Sequence, residues 1–155
     1  MEIKLGRLSH VGIGVRNIEA TLQQYSAIFG IQLEKERINV PGFDLAEGEI
    51  VRARSANMKG LKVAFITMGN TAFEFFELPE SSLTGGKRYG IYHVGFIVDD
   101  LKSKLAELKA KGIEPAEGFP KSDKLVYLRP SEGVLIELTD KTWRYTKEPA
   151  KTKQK

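Results

Sequence analysis

Two βαβββ modules in tandem, an α+β fold, are what this chain of 155 residues predicts. Three observations lead there. The only two histidines, His10 and His93, stand in two copies of one short apolar motif, "LSHVGIGV" and "IYHVGFIV". The offset between them, 83 positions (93 − 10), also aligns Val11 with Val94, Gly12 with Gly95, Val15 with Val98, Ile18 with Leu101 and Leu22 with Leu105. Self-similarity at a fixed spacing marks a repeated structural unit. Each copy also passes from an apolar strand-like run to helical spacing and back to strands.

The elements follow in order. Leu8–Val15 and Ile91–Val98 read as strands. Asn17 and Asp100 then offer N-caps, and apolar residues follow at helical spacing: Ile18, Leu22, Tyr25 and Phe29 in one copy, Leu101, Leu105 and Leu108 in the other. Gly30 and Gly112 supply left-handed stops. Leu61–Leu78 reads as a hairpin turning at Gly69-Asn70, and Lys124–Asp140 as a second hairpin turning through Pro130–Gly133. The hairpins align at a smaller offset, 63 (137 − 74), which pairs Glu74 with Glu137 and Val63 with Val126. The first half therefore carries 20 extra residues (83 − 63), within Arg37–Gly60. The expected organisation is a first module at 6–78, a polar linker at 79–90, a second module at 91–145 and a disordered tail at 146–155.

Composition excludes several functions. The hydrophobic fraction of 41% is ordinary for a globular protein. No apolar run is long enough to span a membrane, and the N-terminal stretch has no signal-peptide pattern, so a cytoplasmic location is expected. The absence of cysteine removes disulfides, thiol nucleophiles and thiolate ligands. The net charge of +4 owes much to Lys147, Lys151, Lys153 and Lys155 in the tail, which leaves no basic stripe for nucleic acid.

The chemistry lies in what the repeat places together. Alternation along a strand puts Glu74 on the face opposite Phe73 and Phe75, and Glu137 on the face opposite Ile136 and Leu138. A carboxylate in such a strand needs a charge partner. Each half thus offers one histidine and one glutamate at equivalent places, and a pseudo-twofold axis would bring His10, Glu74, His93 and Glu137 to one point. Taken singly, a strand histidine or glutamate is more often structural than a ligand; four at repeat-equivalent sites favour one divalent metal ion. Zn, Ni, Co, Mn and Fe(II) all accept this mixed nitrogen and oxygen set, and an octahedral ion would keep two positions open for a bidentate substrate.

These residues carry a resemblance. Over about residues 6 to 140, the stretches "LSHVGIGVRNIEATLQQYSAIFGI", "VAFITMGNTAFEFFELPE", "YHVGFIVDDL" and "GVLIELTD" resemble the vicinal oxygen chelate superfamily, also called the glyoxalase/bleomycin-resistance/dioxygenase superfamily. "FEFFELPE" is similar to the strand that carries a Glu or Gln metal ligand in glyoxalase I enzymes and methylmalonyl-CoA epimerases, and it maps that ligand onto Glu74. The resemblance implies a cupped mixed sheet around one metal ion, a homodimer, and a small-molecule substrate such as a thioester or hemithioacetal.

The branch follows from the ligand set. A third histidine, expected of an extradiol dioxygenase, is absent, and the full quartet is not that of the metal-free antibiotic-binding branch. The chain departs from the epimerases where they carry a non-ligand glutamate, since Met58 and Lys59 stand there; Glu47 and Glu49 lie further upstream. A glyoxalase-type lyase or isomerase is therefore expected, moving a proton next to a carbonyl through an enediolate or enolate, with Glu137 as the base and Glu74 opposite it. A methylmalonyl-CoA epimerase-like activity is the alternative, and a non-catalytic binding or resistance protein stands beyond that. Arg52 and Arg54, with Lys59, could clamp an anionic thiol carrier but read more simply as a charged edge strand. Trp143 and Tyr145 are expected to pin the C-terminus to the domain.

Overall fold

The two histidine motifs fold as neighbouring strands at the centre of one sheet. The computed structural model describes residues 8–34, 45–54, 62–69, 71–78 and 89–143. Along the chain these form β1 (Leu8–Val15), α1 (Ile18–Phe29), β2 (Ile50–Arg54), β3 (Lys62–Met68), β4 (Thr71–Glu77), β5 (Gly90–Val98), α2 (Leu101–Ala110), β6 (Leu125–Leu128) and β7 (Leu135–Asp140). The sheet order is β2-β3-β4-β1-β5-β7-β6. β1 runs antiparallel to β5, and each has the last strand of its own half as its parallel neighbour, β4 and β7. The β1–β5 register is symmetric about the Val11–Val94 pair, with His10 opposite Gly95 and Gly12 opposite His93. That is the pseudo-twofold relation the repeat requires.

Both helices cover the sheet face opposite the glutamates. Ile18 and Leu22 of α1 pack with Ala64, Ile66, Phe73 and Phe75; Leu101 and Leu108 of α2 pack with Val98, Val126, Ile136 and Leu138. The helices start as expected, with Asn17 Oδ1 accepting from Ala20 N–H at 2.8 Å and Asp100 Oδ1 from Ser103 N–H at 2.9 Å. Gly30 closes α1 at φ 66°, and Gly112 takes the left-handed turn one residue beyond the end cap of α2.

A second repeat-equivalent pair holds each helix to its sheet. Glu77, at the end of β4, accepts the first N–H of α1 from Ile18 at 3.1 Å, and Asp140, at the end of β7, accepts that of α2 from Leu101 at 3.4 Å. The same 63-position offset aligns these two acids, and each faces the positive end of its helix. Hydrogen bonds from Ile18 and Lys62 outweigh the opposing desolvation and hold the Glu77 carboxyl below its usual range.

The halves differ at the outer edges. The first has four strands and the second has three among the described residues, because the counterpart of β2 is not a regular strand. That segment, "EPAEGFPKSD", carries Pro115 and Pro120, which donate no backbone hydrogen bond, and Gly118 at positive φ. It touches β6 through two backbone bonds, Ala116 N–H to the Tyr127 carbonyl at 2.7 Å and Ser122 N–H to the Leu125 carbonyl at 2.8 Å. Most of the extra segment of the first half, with Asn70, nearly all of the linker and the tail from residue 144, lies outside the described residues; within it, Ile50–Arg54 forms the edge strand β2.

Candidate metal centre

His10 and His93 project from the two central strands, away from the helices, and the strands flanking them bring Glu74 and Glu137 to the same place. On a flat sheet, β4 and β7 would stand three strand spacings apart, about 14 Å. The ligand atoms of all four residues instead lie within 4.8 Å of one another, so this face is concave. The four side chains are almost fully buried, at 1% exposure for His10, 0% for His93, 7% for Glu74 and 3% for Glu137. His10 Nε2 lies 2.8 Å from His93 Nε2, 3.1 Å from Glu74 Oε2 and 3.3 Å from Glu137 Oε1. His93 Nε2 lies 3.0 Å from Glu74 Oε2 and 3.4 Å from Glu137 Oε2.

The glycine after each histidine makes room for the other histidine. A Cβ on Gly12 would run into the His93 ring, and a Cβ on Gly95 would run into the His10 ring. The recurring His-Val-Gly is therefore one reciprocal device, in which each strand brings an imidazole and leaves space for its twin. Gly95→Ala is expected to displace His10, lowering metal affinity at least tenfold and destabilising the fold by about 1–3 kcal/mol through overpacking. Metal titration and thermal melting check both.

Each histidine is also preceded by a bulge. The β1–β5 register slips at Ser9 on one strand and at Tyr92 on the other, again repeat-equivalent positions. Bulges re-aim side chains. Ser9 Oγ comes to 2.7 Å from His10 Nδ1, whereas Tyr92 packs its ring against His93 and Phe76 and leaves His93 Nδ1 buried with no hydrogen-bond partner. The walls are aromatic: Phe65 meets His10 edge-on, Phe76 and Tyr127 meet His93, and Trp143 packs on Phe65.

Burial alone would depress the pKa of His10, but the carboxylates of Glu137 and Glu74 push it up to about 10. Burial likewise opposes ionisation of Glu137, yet His10 and His93 hold it down at about 2. A proton on His10 thus stands in for part of the positive charge that two buried carboxylates require. The donor set and its spacing fit a metal ion. Bonds of about 2.1 Å put neighbouring ligand atoms about 3.0–3.4 Å apart, and the imidazole nitrogens lie 2.8–3.4 Å from each other and from the carboxylate oxygens. Glu74 Oε2 is buried with no partner beyond the two imidazole nitrogens, as an oxygen awaiting a cation would be.

The signs give a test on the metal-free protein. The His10 contribution to stability is complete below its ordinary 6.5 and is lost as pH rises towards 10; the Glu137 contribution is complete above its ordinary 4.5 and is lost as pH falls towards 2. Melting temperature in chelator should therefore peak between about 4.5 and 6.5 and fall on both sides. Apparent metal affinity should keep rising with pH well above the value of about 6 expected of an ordinary imidazole, because the proton on His10 must leave first.

The other sequence candidates fall outside this cluster. Arg52 turns to the helix side and pairs with Glu19 on α1, as a charged edge strand would; the side chains of Arg54 and Lys59, like Met58 and Tyr145, are outside the described residues. Glu47 Oε1 accepts from Gly69 N–H at 3.1 Å and Glu49 Oε2 from Ala46 N–H at 3.0 Å, both away from the cluster. Sequence reasoning missed Ser9, Tyr127 and Thr139. Thr139 follows Glu137 by two positions and so shares its face, a signal alternation alone could have supplied.

Residues 9–126 match the family model of the Glyoxalase/Bleomycin resistance protein/Dioxygenase superfamily. The chain belongs to that superfamily. It is 29% identical over 151 residues to the mitochondrial methylmalonyl-CoA epimerase of Mus musculus, covering 87% of this chain and 73% of that one. It is also 29% identical over 147 residues to the ethylmalonyl-CoA/methylmalonyl-CoA epimerase of Cereibacter sphaeroides, covering 86% and 97%. Among solved structures, the methylmalonyl-CoA epimerase of Mycobacterium tuberculosis superposes with a TM-score of 0.60 at 22% identity, covering 86% of each chain. A methylmalonyl-CoA epimerase solved with methylmalonyl-CoA and an ammonium ion superposes with a TM-score of 0.64 at 20% identity, covering 93% of this chain and all of that one. The superfamily member described here is an enzyme, and its relatives stand with the epimerase branch rather than the glyoxalase branch that Met58 and Lys59 had favoured. Among the described residues no helix is long and apolar enough to cross a membrane.

Proposed function

We propose that the chain is a metal-dependent epimerase of a small acyl-CoA thioester, exchanging the proton on the carbon next to the thioester carbonyl. The observation that carries this reading is the buried His10–Glu74–His93–Glu137 cluster in a chain whose relatives are epimerases. In this reading the four residues hold one divalent ion (Zn, Ni, Co, Mn or Fe). When bound, such an ion supplies Lewis-acid chemistry, polarising a carbonyl oxygen and steadying negative charge there.

The chain's own groups do the rest. The α-C–H bond breaks and its electron pair forms a carbon–carbon double bond as the carbonyl π pair moves onto oxygen, while a cluster carboxylate takes the proton. Return of a proton to the opposite face of the carbon inverts the centre, and the cluster offers a second carboxylate for that step. With Met58 and Lys59 in place of the expected glutamate, and Glu47 and Glu49 engaged elsewhere, proton transfer falls to Glu74 and Glu137. Phe65, Phe76 and Tyr127, all buried, keep water from the reacting carbon. A homodimer belongs to this reading on the family resemblance, and a cytoplasmic location on the sequence pattern.

Incubating the metal-loaded protein with one epimer of methylmalonyl-CoA tests it. The expected result is an equilibrium mixture of both epimers. Conversion of the methylglyoxal–glutathione hemithioacetal to its thioester instead would move the chain to the glyoxalase reading, and inertness towards both would make it a binding protein.

A further inference from the structure

We propose that Thr139 is a positioning residue that fixes Glu137 in the cluster, so that Glu74 is the carboxylate that yields its place when substrate oxygens arrive. This rests on the metal reading above. Because the two modules are repeats, their glutamates can be compared position by position. In the second module, the residue two beyond Glu137 is Thr139, 1% exposed, and its Oγ1 donates to Glu137 Oε1 at 2.9 Å. The residue directly across the hairpin ladder from Glu137 is Tyr127, also buried, which shares the face of that carboxylate.

In the first module the same two positions are apolar. The residue two beyond Glu74 is Phe76, and the residue across the ladder from it is Phe65. Two phenyl rings stand where the other half has a threonine and a tyrosine, and Glu74 Oε2 is buried with no partner beyond the two imidazole nitrogens. Hydrogen bonds to a ligating carboxylate fix its orientation and raise metal affinity. A ligand lacking them is held by the ion and the fold alone, and exchanges more readily for an incoming oxygen. The histidines are divided similarly, since Ser9 braces His10 while His93 Nδ1 has no partner. One histidine and one glutamate form a braced pair, and Glu74 is the unbraced carboxylate.

The test is a Co2+ titration of chelator-treated protein, followed by visible absorption, on wild type, Thr139→Val, Thr139→Ser, Glu74→Gln and Glu137→Gln. Thr139→Val should weaken Co2+ about tenfold to hundredfold, and Thr139→Ser, which keeps the hydroxyl, should restore it to within about threefold. Glu137→Gln should cost at least about tenfold more affinity than Glu74→Gln. In the Co2+-loaded proteins, the bidentate oxygen ligand acetohydroxamate should bind Glu74→Gln at least as tightly as wild type. Thr139→Val binding Co2+ like wild type, Thr139→Ser no better than Thr139→Val, or the reverse order of the two glutamines would overturn the proposal while leaving the metal reading intact. No Co2+ binding by wild type would remove the metal reading itself.

Discussion

Replacing His93 with alanine is expected to abolish metal binding and turnover together. The ring is fully buried at the centre of the cluster, 3.0 Å from Glu74 and 3.4 Å from Glu137, and Phe76, Tyr92 and Tyr127 pack edge-on around it. No other neutral nitrogen donor is within reach, because the chain has only two histidines. Lewis-acid stabilisation amounts to several kcal/mol of barrier, so turnover should drop by about 10³ or more. His10→Ala should behave alike. Metal content of the purified variants, set beside their turnover, checks this; a His93→Ala protein that still carries one ion per chain would show that the imidazole is not a ligand.

Glu74→Gln is expected to slow turnover by about 10²–10⁴ while the protein still loads metal, because an amide keeps a ligating oxygen but cannot accept a proton. Sequence alone had placed the base at Glu137. The hydrogen bond from Thr139 argues for the exchange of roles: a carboxylate braced by a hydroxyl is a good fixed ligand, and one that can leave the ion is free to turn to the substrate carbon. Glu137→Gln should lose metal loading as well as turnover, since it removes both a braced ligand and the second carboxylate. Metal content set beside turnover separates the two cases, and a loaded Glu74→Gln protein turning over like wild type would return the base to Glu137.

Much of this was legible in the sequence because the repeat turned weak local signals into paired ones. His10 with His93, Glu74 with Glu137 and Asn17 with Asp100 each have a twin at a fixed offset, and the sheet brings the two histidines and the two glutamates together. Where the halves diverge, the reading lost its anchor. The edge strand β2 lies in a segment with no twin, and Pro115 and Pro120 remove the matching strand from the second half. The glycine–histidine reciprocity needed the β1–β5 register, which strand patterns do not specify. The Thr139 hydroxyl on Glu137 needed alternation, and Tyr127 across from it needed the hairpin register. The choice between epimerase and glyoxalase turned on Met58 and Lys59, and that local departure weighed more than the relatives support.

The measurement that bears most directly on the central claim is incorporation of solvent deuterium at the α-carbon of methylmalonyl-CoA, followed by mass spectrometry with metal content determined on the same sample. The metal-loaded protein should take up deuterium at that carbon, lose the ability when chelated, and regain it when a divalent ion is restored, while His10→Ala and His93→Ala remain inert throughout. Exchange that persists in the chelated protein, or in either histidine variant, would contradict the account.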